Sequence, residues 1–437
     1  MKDNISEQEL DKMMEAADDE SDEEVEEEER PTEQDIQNAN ALLRDPRLLY
    51  TVACTMDRLG IAGEKRSGLL LYLVLTSRLL AHPLSVISKG ASGSGKSYLV
   101  QNMLRMFPGN GYVDITYATP KSFYHSPAGR FRRKIIVVFE KHGAENADYA
   151  IRTFQSEGFL KIQVTERDGK GNWTTNEKKV EGPVGFVTTT TKAYVHPENE
   201  TRLLSLYADD GYQQTIAVLD MAASKYEGGL AITETELRTF QVAQRLLKVK
   251  PVVIPFARVL CEYFPSDIVR VRRDYHQLLS VIEASALLHQ EQRERQVLNG
   301  VEHVVANLCD YHIAQVLVGN VLRSTIFEIP PKTERLIEIG RKLKKPFDVH
   351  LLARKAGWEY DVTLKWFNQG KDKGCFTLVQ VGGGPRGTSY KVSLSKLNQV
   401  KKHTLPPVQI LIDTHPGVYK GEAIYDPIGG EVLRLEN

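Results

Sequence analysis

The sequence predicts an α/β fold, a parallel sheet with helices on both faces, from three observations. A short apolar run at residues 84–88 leads into a glycine-rich segment, and residues 98–104 after it have a helical pattern. Further apolar runs of strand length follow at residues 113–117, 134–139 and 184–190. A helical pattern at residues 147–157 separates two of them. Strands that alternate with helices form parallel sheets covered on both faces, because each helix carries the chain back across the sheet.

The glycine-rich segment is the most specific motif in the chain. Residues 90–97 read Gly-Ala-Ser-Gly-Ser-Gly-Lys-Ser and match the pattern G-x-x-x-x-G-K-[ST] in full. In such a loop the backbone N–H groups surround a phosphate, the lysine contacts the β- and γ-phosphates, and the final hydroxyl ligates Mg²⁺. The motif predicts binding of a nucleoside triphosphate, with ATP and Mg²⁺ as the ligands and Ser97 as a metal ligand. The nucleotide-binding residues are expected to be Gly90, Ser92, Gly93, Ser94, Gly95, Lys96 and Ser97.

Composition limits the classes of protein to consider. The 437 residues are enough for two or three domains. No stretch of ~18 apolar residues is present, and the N-terminus does not resemble a secretion signal. The four cysteines are far apart, which disfavours a disulfide framework and a zinc site. We therefore expect a cytoplasmic protein without a membrane partner.

The charge is distributed unevenly along the chain. Residues 1–30 contain 15 acidic and three basic residues, whereas the whole chain has a formal net charge of −1. Residues 31–437 therefore carry a net charge of +11. A basic body with an acidic tail is typical of a protein that binds a polyanion, with the tail competing for the same surface. The alternative is a solubilising tail beside a scattered basic surface.

The pattern along the chain predicts six segments. Residues 1–33 form an acidic tail that we expect to be disordered, because like charges repel and little can be buried. The others are a helical lead-in at 34–83, a nucleotide-binding core at 84–227, a helical region at 228–328 with a long helix at 272–296, a compact α+β domain at 329–395, and an extended segment without clear period at 396–437.

Hydrolysis of a bound triphosphate needs a carboxylate that orients water, and usually a second that organises Mg²⁺. Both are expected at the end of the strand beside the loop strand. The run 134–139 ends in one acid, Glu140. We interpret Glu140 as the catalytic carboxylate, with Phe139 at the metal-side position. The alternatives are Glu140 as the metal-side acid and Glu140 as a solvated residue at a strand end.

Residues 159–180 read as a β-hairpin with its turn at residues 167–172. The hairpin is basic, and Trp173 is available for stacking on a base. A basic hairpin with an aromatic residue is suited to following a single-stranded backbone, although an exposed hairpin with ordinary surface lysines has the same pattern. The residues assigned to nucleic acid here are Arg167, Lys170, Lys178 and Lys179.

The compact segment 331–393 reads as a winged helix. Its helices are expected at 334–344, 349–356 and 361–371, followed by a strand, a glycine-rich wing at 382–387 and a returning strand. Lys365 on the third helix and Arg386 in the wing are placed to contact phosphates. The alternative is a domain that contacts protein.

The order of these motifs resembles that of AAA+ ATPases, and more narrowly that of minichromosome-maintenance-like helicases and primase-associated helicases of phages and mobile elements. The resemblance rests on residues 90–97, 150–158, the hairpin, 188–191 and 200–204, with additional matches at 60–64 and 273–290. It covers roughly residues 40–320. It implies that residues 84–227 are an AAA+ core and that residues 228–328 are its helical lid.

The resemblance also implies roles for three residues. Arg202 matches the arginine finger, which reaches the nucleotide of a neighbouring subunit, although alone it would read as a surface salt-bridge residue. Thr190, chosen among residues 188–191, matches sensor 1, where the family commonly has asparagine. Arg273 matches the sensor 2 arginine, with Arg270 and Arg272 as alternatives.

These expectations favour an ATP-dependent DNA helicase or translocase that acts in replication of a phage or mobile element. The chain would form a homo-oligomer, a hexameric ring, bind single-stranded or forked DNA, and meet a primase or another replication protein. Three alternatives remain: an ATP-dependent initiator or helicase loader, a nucleotide-responsive DNA-binding regulator, and a protein-remodelling machine, which the basic body disfavours.

Overall fold

A computed structural model describes most of the chain after the acidic tail. The described residues are 30–116, 119–127, 129–139, 148–167, 173–191, 201–229, 231–266, 268–326, 329–343, 346–384, 387–394 and 405–435. Residues 1–29 of the predicted acidic tail therefore lie outside the described part, whereas the end of that tail is ordered, since Thr32 caps the first helix and Glu33 begins it.

A five-stranded parallel sheet forms the centre of the molecule. Its strands, in chain order, are β1 (Val86–Lys89), β2 (Tyr112–Asp114), β3 (Lys134–Val138), β6 (Val184–Thr190) and β7 (Leu204–Tyr207). Their spatial order is β2-β3-β6-β1-β7. The predicted α/β class with a parallel sheet is thereby confirmed. We call the end at which these strands start the amino edge and the other end the carboxyl edge.

Each face of the sheet is covered because both faces are apolar. Side chains alternate between faces along a strand, so Val86 joins one hydrophobic cluster and Ile87 another. The first face packs on α3 (Lys65–Thr76) and α4 (Lys96–Leu104). The second face packs on α5 (Pro120–Tyr124) and α6 (Asp148–Glu157), and on the base of the hairpin formed by β4 (Phe159–Arg167) and β5 (Trp173–Glu181).

The strand order corrects one expectation about the site. β3 is not beside the loop strand, because β6 pairs with both β1 and β3 and lies between them. All seven residues of β6 are buried, which suits a central strand. The sequence pattern cannot show whether β3 or β6 lies beside β1, since both are buried apolar runs. The short strand β7, on the other side of β1, was not predicted at all.

A helical lead-in precedes the sheet and is formed by α1 (Glu33–Arg44), α2 (Leu48–Arg58) and α3. Helix α1 starts with a capping box in which the Thr32 hydroxyl accepts from the N–H of Asp35 and the Asp35 carboxylate accepts from the N–H of Thr32. Helix α3 is buried along nearly its whole length and packs between the sheet and the later helices.

The region 228–328 contains strands as well as helices. Its elements are α8 (Glu234–Leu246), β8 (Val252–Val253), α9 (Ala257–Cys261), α10 (Val271–Leu288), β9 (Arg295–Leu298), β10 (Val301–Val305) and α11 (Leu308–Ile326), preceded by α7 (Tyr212–Tyr226). The three strands form a small sheet in the order β8-β10-β9. The segment expected to be helical thus also contains a small sheet, which the sequence did not indicate.

The long helix predicted at 272–296 ends at Leu288. After Leu288, two side-chain contacts direct the chain away from the helical path. Gln292 donates to the carbonyls of Leu43 and Asp45 at 2.8 and 2.9 Å. Arg293 forms a bidentate pair with the fully buried Asp310, at 2.8 and 2.9 Å. Contacts between residues far apart in the chain do not alter helical periodicity. The sequence pattern therefore predicted a longer helix than the one observed.

A separate small core follows at residues 329–394. It consists of α12 (Pro331–Leu343), α13 (Val349–Ala356), α14 (Tyr360–Asp372) and the antiparallel strands β11 (Phe376–Gly384) and β12 (Gly387–Leu394). After it, residues 405–435 pack against α11, and Tyr311 donates to the carbonyl of Pro406 at 2.7 Å. This last segment was expected to lack helix, but it contains α15 (Val408–Thr414).

Candidate nucleotide-binding site and nucleic-acid interface

The glycine-rich loop lies at the carboxyl edge, between the end of β1 and the start of α4. Gly93 and Gly95 have φ angles of 77° and 82°, a left-handed conformation that side-chain-bearing residues rarely adopt. A Cβ on Gly90 would lie 2.7 Å from the Ser94 hydroxyl and 3.1 Å from the Cβ of Ala208, so a side chain here would displace at least the Ser94 hydroxyl. The loop therefore wraps tightly and ends on a helix N-terminus, where free N–H groups and the helix dipole favour an anion.

Lys96 places its charge inside this loop. Its Nζ donates to the carbonyls of Gly90 and Ala91 at 3.0 and 2.5 Å and to the Ser94 hydroxyl at 3.3 Å. The residue is 8% exposed. A buried ammonium group attracts an anion strongly, because little water screens its charge. Ser97, the predicted metal ligand, is the next residue of α4 and is half-buried.

The end of β6 lies directly beside the loop. The N–H of Gly90 donates to the carbonyl of Thr190 at 3.3 Å, so the predicted sensor residue adjoins the first glycine of the loop. Thr189 faces the other side of the sheet, and its hydroxyl donates to the carbonyl of Phe139, the residue just before Glu140. The structure thus ties the end of β3 to the strand next to the loop. Glu140 itself lies outside the described residues, so its role stays a prediction.

The two candidate arginines lie at the opposite, amino edge. Arg202 donates to the Ser156 hydroxyl at the end of α6, and the neighbouring Gln155 donates to the Ser85 hydroxyl at 2.9 Å, where β1 begins. Ser85 and Gly90 are five residues apart along an extended strand, or roughly 16 Å. Arg202 is thus directed away from the loop of its own chain.

Arg273 lies at the same edge. Its guanidinium donates to the Thr201 hydroxyl, next to Arg202 in the chain. The following residue, Asp274, is fully buried, and its pKa is raised from 3.8 to about 6 because burial penalises the charged form. The guanidinium of Arg270, one turn earlier, lies 3.5 Å from the Asp274 carboxylate and lowers its pKa, which opposes the effect of burial. The structure therefore brings Arg202 and Arg273 together but places neither beside the loop.

The hairpin residues divide between two faces. Lys161, Arg167, Trp173 and Lys179 share one face, because their positions pair directly across the strands. On this face Arg167 stacks on Trp173 with its guanidinium 4.7 Å from the ring centroid, and Trp173 is 66% exposed. Lys178 pairs with Ile162 and is on the other face.

Not all of the basic hairpin charge is available to a ligand. Lys179 pairs with Glu181 at 3.1 Å, and Lys161 pairs with Glu177 at 3.2 Å. Lys170 lies outside the described residues. The base of the hairpin lies at the amino edge, where β4 starts and β5 ends.

In the last domain, Lys365 lies on α14 beside Trp366. The Trp366 ring is approached by the ammonium groups of Lys365 and Lys332, at 5.4 and 5.9 Å from its centroid. Lys332 also pairs with Asp210, just beyond β7, at 2.8 Å. This pair links the domain to the carboxyl edge of the sheet. Arg386 lies outside the described residues.

Two further residues near the loop were not singled out from the sequence. Lys89, the last residue of β1, is 2% exposed, and its ammonium group lies 5.6 Å from the ring centroid of Tyr207. Glu64 accepts from the N–H of Asp209 at 2.8 Å and connects the lead-in to the segment after β7. Neither was predictable, because both contacts depend on β7 being next to β1.

No protein-family model matches the chain, and no curated protein is significantly similar to it in sequence. Within the described residues, no helix is long and apolar enough to cross a membrane, and no cluster of three or more His, Cys, Asp or Glu side chains is arranged to hold a metal ion.

Proposed function

We propose that the chain is an ATP-driven DNA motor, an AAA+ helicase or translocase acting in DNA replication. The observation that carries the proposal is the loop at residues 90–97. Its left-handed glycines, its position on a helix N-terminus and the inward ammonium group of Lys96 together suit a triphosphate. Mg²⁺ held by Ser97 would neutralise part of the phosphate charge.

The positions of the arginines support a site shared between two copies. Arg202 and Arg273 lie at the amino edge, roughly 16 Å from the loop along β1. An arginine completes a phosphoryl-transfer site only when it contacts the phosphates. A second copy whose amino edge meets the carboxyl edge of the first would supply that contact. Repetition of this head-to-tail contact closes a ring, for which the family resemblance suggests six subunits.

DNA is the proposed substrate of the motor for two reasons. The chain after residue 30 has a net charge of +11, which favours a polyanion. The hairpin presents an exposed tryptophan stacked with arginine, and an aromatic ring beside a cation suits stacking on successive unpaired bases. The domain at 329–394, with three helices and a hairpin, supports the winged-helix assignment and a second DNA contact through Lys365.

The decisive experiment measures the ATPase rate of the full chain with and without single-stranded DNA. We expect a basal rate that DNA stimulates, and a Lys96→Ala variant without measurable rate in either condition. The matched control is Lys371→Ala, which removes a lysine from an exposed helix position. A wild-type protein that hydrolyses no ATP would refute the ATPase, and hydrolysis that DNA leaves unchanged would refute the motor.

A strand-displacement assay separates the motor from a helicase loader. A motor unwinds a forked duplex alone with ATP, and the Lys96→Ala variant does not. A loader hydrolyses ATP with DNA but displaces no strand. In a nucleotide-responsive regulator, Glu140→Gln would leave DNA binding and biological function intact. A motor with this change would bind ATP but lose its activity.

A further inference from the structure

Helix α7 carries an apolar stripe that the described structure leaves uncovered. Its 15 residues include none that are buried. Apolar and small residues recur along it with alternating spacings of four and three, the pattern of a helix seam that packs on another surface. The stripe consists of Tyr212, Ile216, Leu219, Ala223 and Tyr226, and the four large members are 72%, 44%, 64% and 91% exposed.

Within the described residues, a side-chain hydrogen bond ties this helix to the lead-in at its first turn, and there it adjoins the nucleotide loop. Gln214 donates to the carbonyl of Ala62 at 2.7 Å. Ala208, just before α7, donates to the carbonyl of Lys89 at 2.9 Å and lies in contact range of Gly90. An isolated helix of this length is marginal in water. Its stripe is therefore expected to be covered in the functional state.

We propose that the α7 stripe is the surface on which the amino edge of a second copy of this chain docks. The inference rests on the proposed function, because it specifies the surface that brings the arginines of one copy to the loop of the next.

Charge complementarity favours this occupant. Residues 207–227 carry four acidic residues against Lys225 alone. The amino edge carries Arg202, Arg270, Arg272 and Arg273. Val269, beside these arginines, is 76% exposed and supplies an apolar contact. Opposite charges around an apolar centre steer and orient association.

Pairing of α7 with the α7 of a second copy is disfavoured. Asp220 lies next to the middle of the stripe and is exposed. A two-fold pairing would place the two Asp220 carboxylates close together, and like charges across an interface are unfavourable.

The size of the stripe indicates that it is one part of a larger interface. From Tyr212 to Tyr226 it spans 14 residues, about 21 Å, and with a helix width of about 10 Å it offers about 200 Å². A stable interface buries about 800 Å² on each partner. The adjoining loop edge is the continuous surface that supplies the remainder.

The first test compares assembly of full-length variants by sedimentation velocity with a slowly hydrolysed ATP analogue. Leu219→Glu on the stripe and Val269→Glu at the amino edge are each expected to weaken assembly tenfold or more. Val297→Glu, on the exposed strand β9 and 67% exposed in the wild type, is the matched control and is expected to assemble normally. Normal assembly of either test variant, or a wild type that remains monomeric, would overturn the proposal.

The second test mixes the two weakened variants. The Leu219→Glu copy keeps its amino edge and the Val269→Glu copy keeps its stripe, so the mixture is expected to form a 1:1 complex that grows no further. A mixture that stays monomeric would overturn the docking of stripe on amino edge. Assembly is read by mass, so a wild type that assembles as expected but hydrolyses no ATP would refute only the proposed function. Conversely, an active ATPase whose assembly is unaffected by Leu219→Glu or Val269→Glu would refute only this inference.

Discussion

At the scale of single residues, three successive threonines at the end of β6 have different surroundings. Thr190 adjoins the phosphate loop through its carbonyl. The hydroxyl of Thr189 is bonded to the end of β3. Thr188 is fully buried, and its hydroxyl has no hydrogen-bond partner among the described residues. Of the three, Thr190 is the one whose backbone is bonded to the loop, and its role as sensor 1 stays a prediction.

Replacing Thr190 by valine tests this role. We expect Thr190→Val to lower kcat roughly tenfold or more, the size of effect of removing one polar contact to a developing charge. Nucleotide affinity, measured with a fluorescent ATP analogue, should change little. Thr188→Val is the matched control, because its hydroxyl is already unpaired and its loss costs little. Equal losses of kcat in the two variants would contradict the prediction.

Asp274 predicts an unusual dependence of stability on pH. Burial raises its pKa from 3.8 to about 6, so the folded state holds the proton in this range and stability falls as the pH rises from about 4 to about 6. Above pH 6 the ionised carboxylate costs about 3 kcal/mol at most. We expect Asp274→Asn to raise Tm by several degrees at pH 8 and to change it little at pH 4.

The measurement is thermal unfolding of both proteins at several pH values, compared at each pH so that other carboxylates cancel. A lower Tm for Asp274→Asn at pH 8 would contradict the prediction. It would mean that attraction to Arg270, 3.5 Å away, exceeds the cost of burial.

At the scale of elements, the β4–β5 hairpin is amphipathic in a way that its composition does not reveal. Leu160 and Val180 are buried at its base against α5 and α6. Beyond the base, the face with Trp173 and Arg167 is exposed. The alternation of strand residues divides the described basic positions of the group that the sequence presents, with Arg167 and Lys179 on one face and Lys178 on the other.

This division predicts which substitution weakens DNA binding. Trp173→Ala should lower the affinity for single-stranded DNA by about 10- to 100-fold, because stacking contributes about 1–3 kcal/mol per base. Lys178→Ala, on the opposite face, should have a smaller effect. Fluorescence anisotropy with a labelled oligonucleotide at fixed salt measures both. A larger loss for Lys178→Ala than for Trp173→Ala would place the DNA on the other face.

At the scale of the whole molecule, loop and arginines occupy opposite edges of one sheet. The proposed site therefore needs two copies, and two defective variants should restore each other. Lys96→Ala and Arg202→Ala are each expected to lose at least 90% of the ATPase rate, since a lost arginine finger costs about 10³-fold or more. Their mixture should recover activity, because the intact loop of an Arg202→Ala copy can meet the intact Arg202 of a Lys96→Ala copy.

The control is Lys96→Ala mixed with the double variant Lys96→Ala/Arg202→Ala, which has no intact loop and should remain inactive. ATPase rates are measured across mixing ratios, with a maximum expected near equal amounts. Additive rates without a maximum would show that each copy hydrolyses ATP with its own residues.

Several features were predictable because they depend on residues close together in the chain. The helix expected after the glycine-rich loop was found as Lys96–Leu104, whereas the left-handed conformation of Gly93 and Gly95 was not specifically predicted. Apolar runs located β3 and β6 to within a residue of their observed ends. The helix at 349–356 was predicted with its observed bounds, since Asp348 caps its start and Gly357 its end.

The sequence by itself determined the phosphate loop, the α/β class and most strands, because local periodicity and backbone conformation are properties of short segments. Only the tertiary structure decided that β6 separates β3 from β1, that α10 stops at Leu288, and that Arg202 and Arg273 share the edge away from the loop. These results depend on contacts between residues tens to hundreds of positions apart, whose energies no local pattern records. For the stripe of α7, the sequence shows the spacing of the apolar residues, but only the tertiary structure shows that they are exposed.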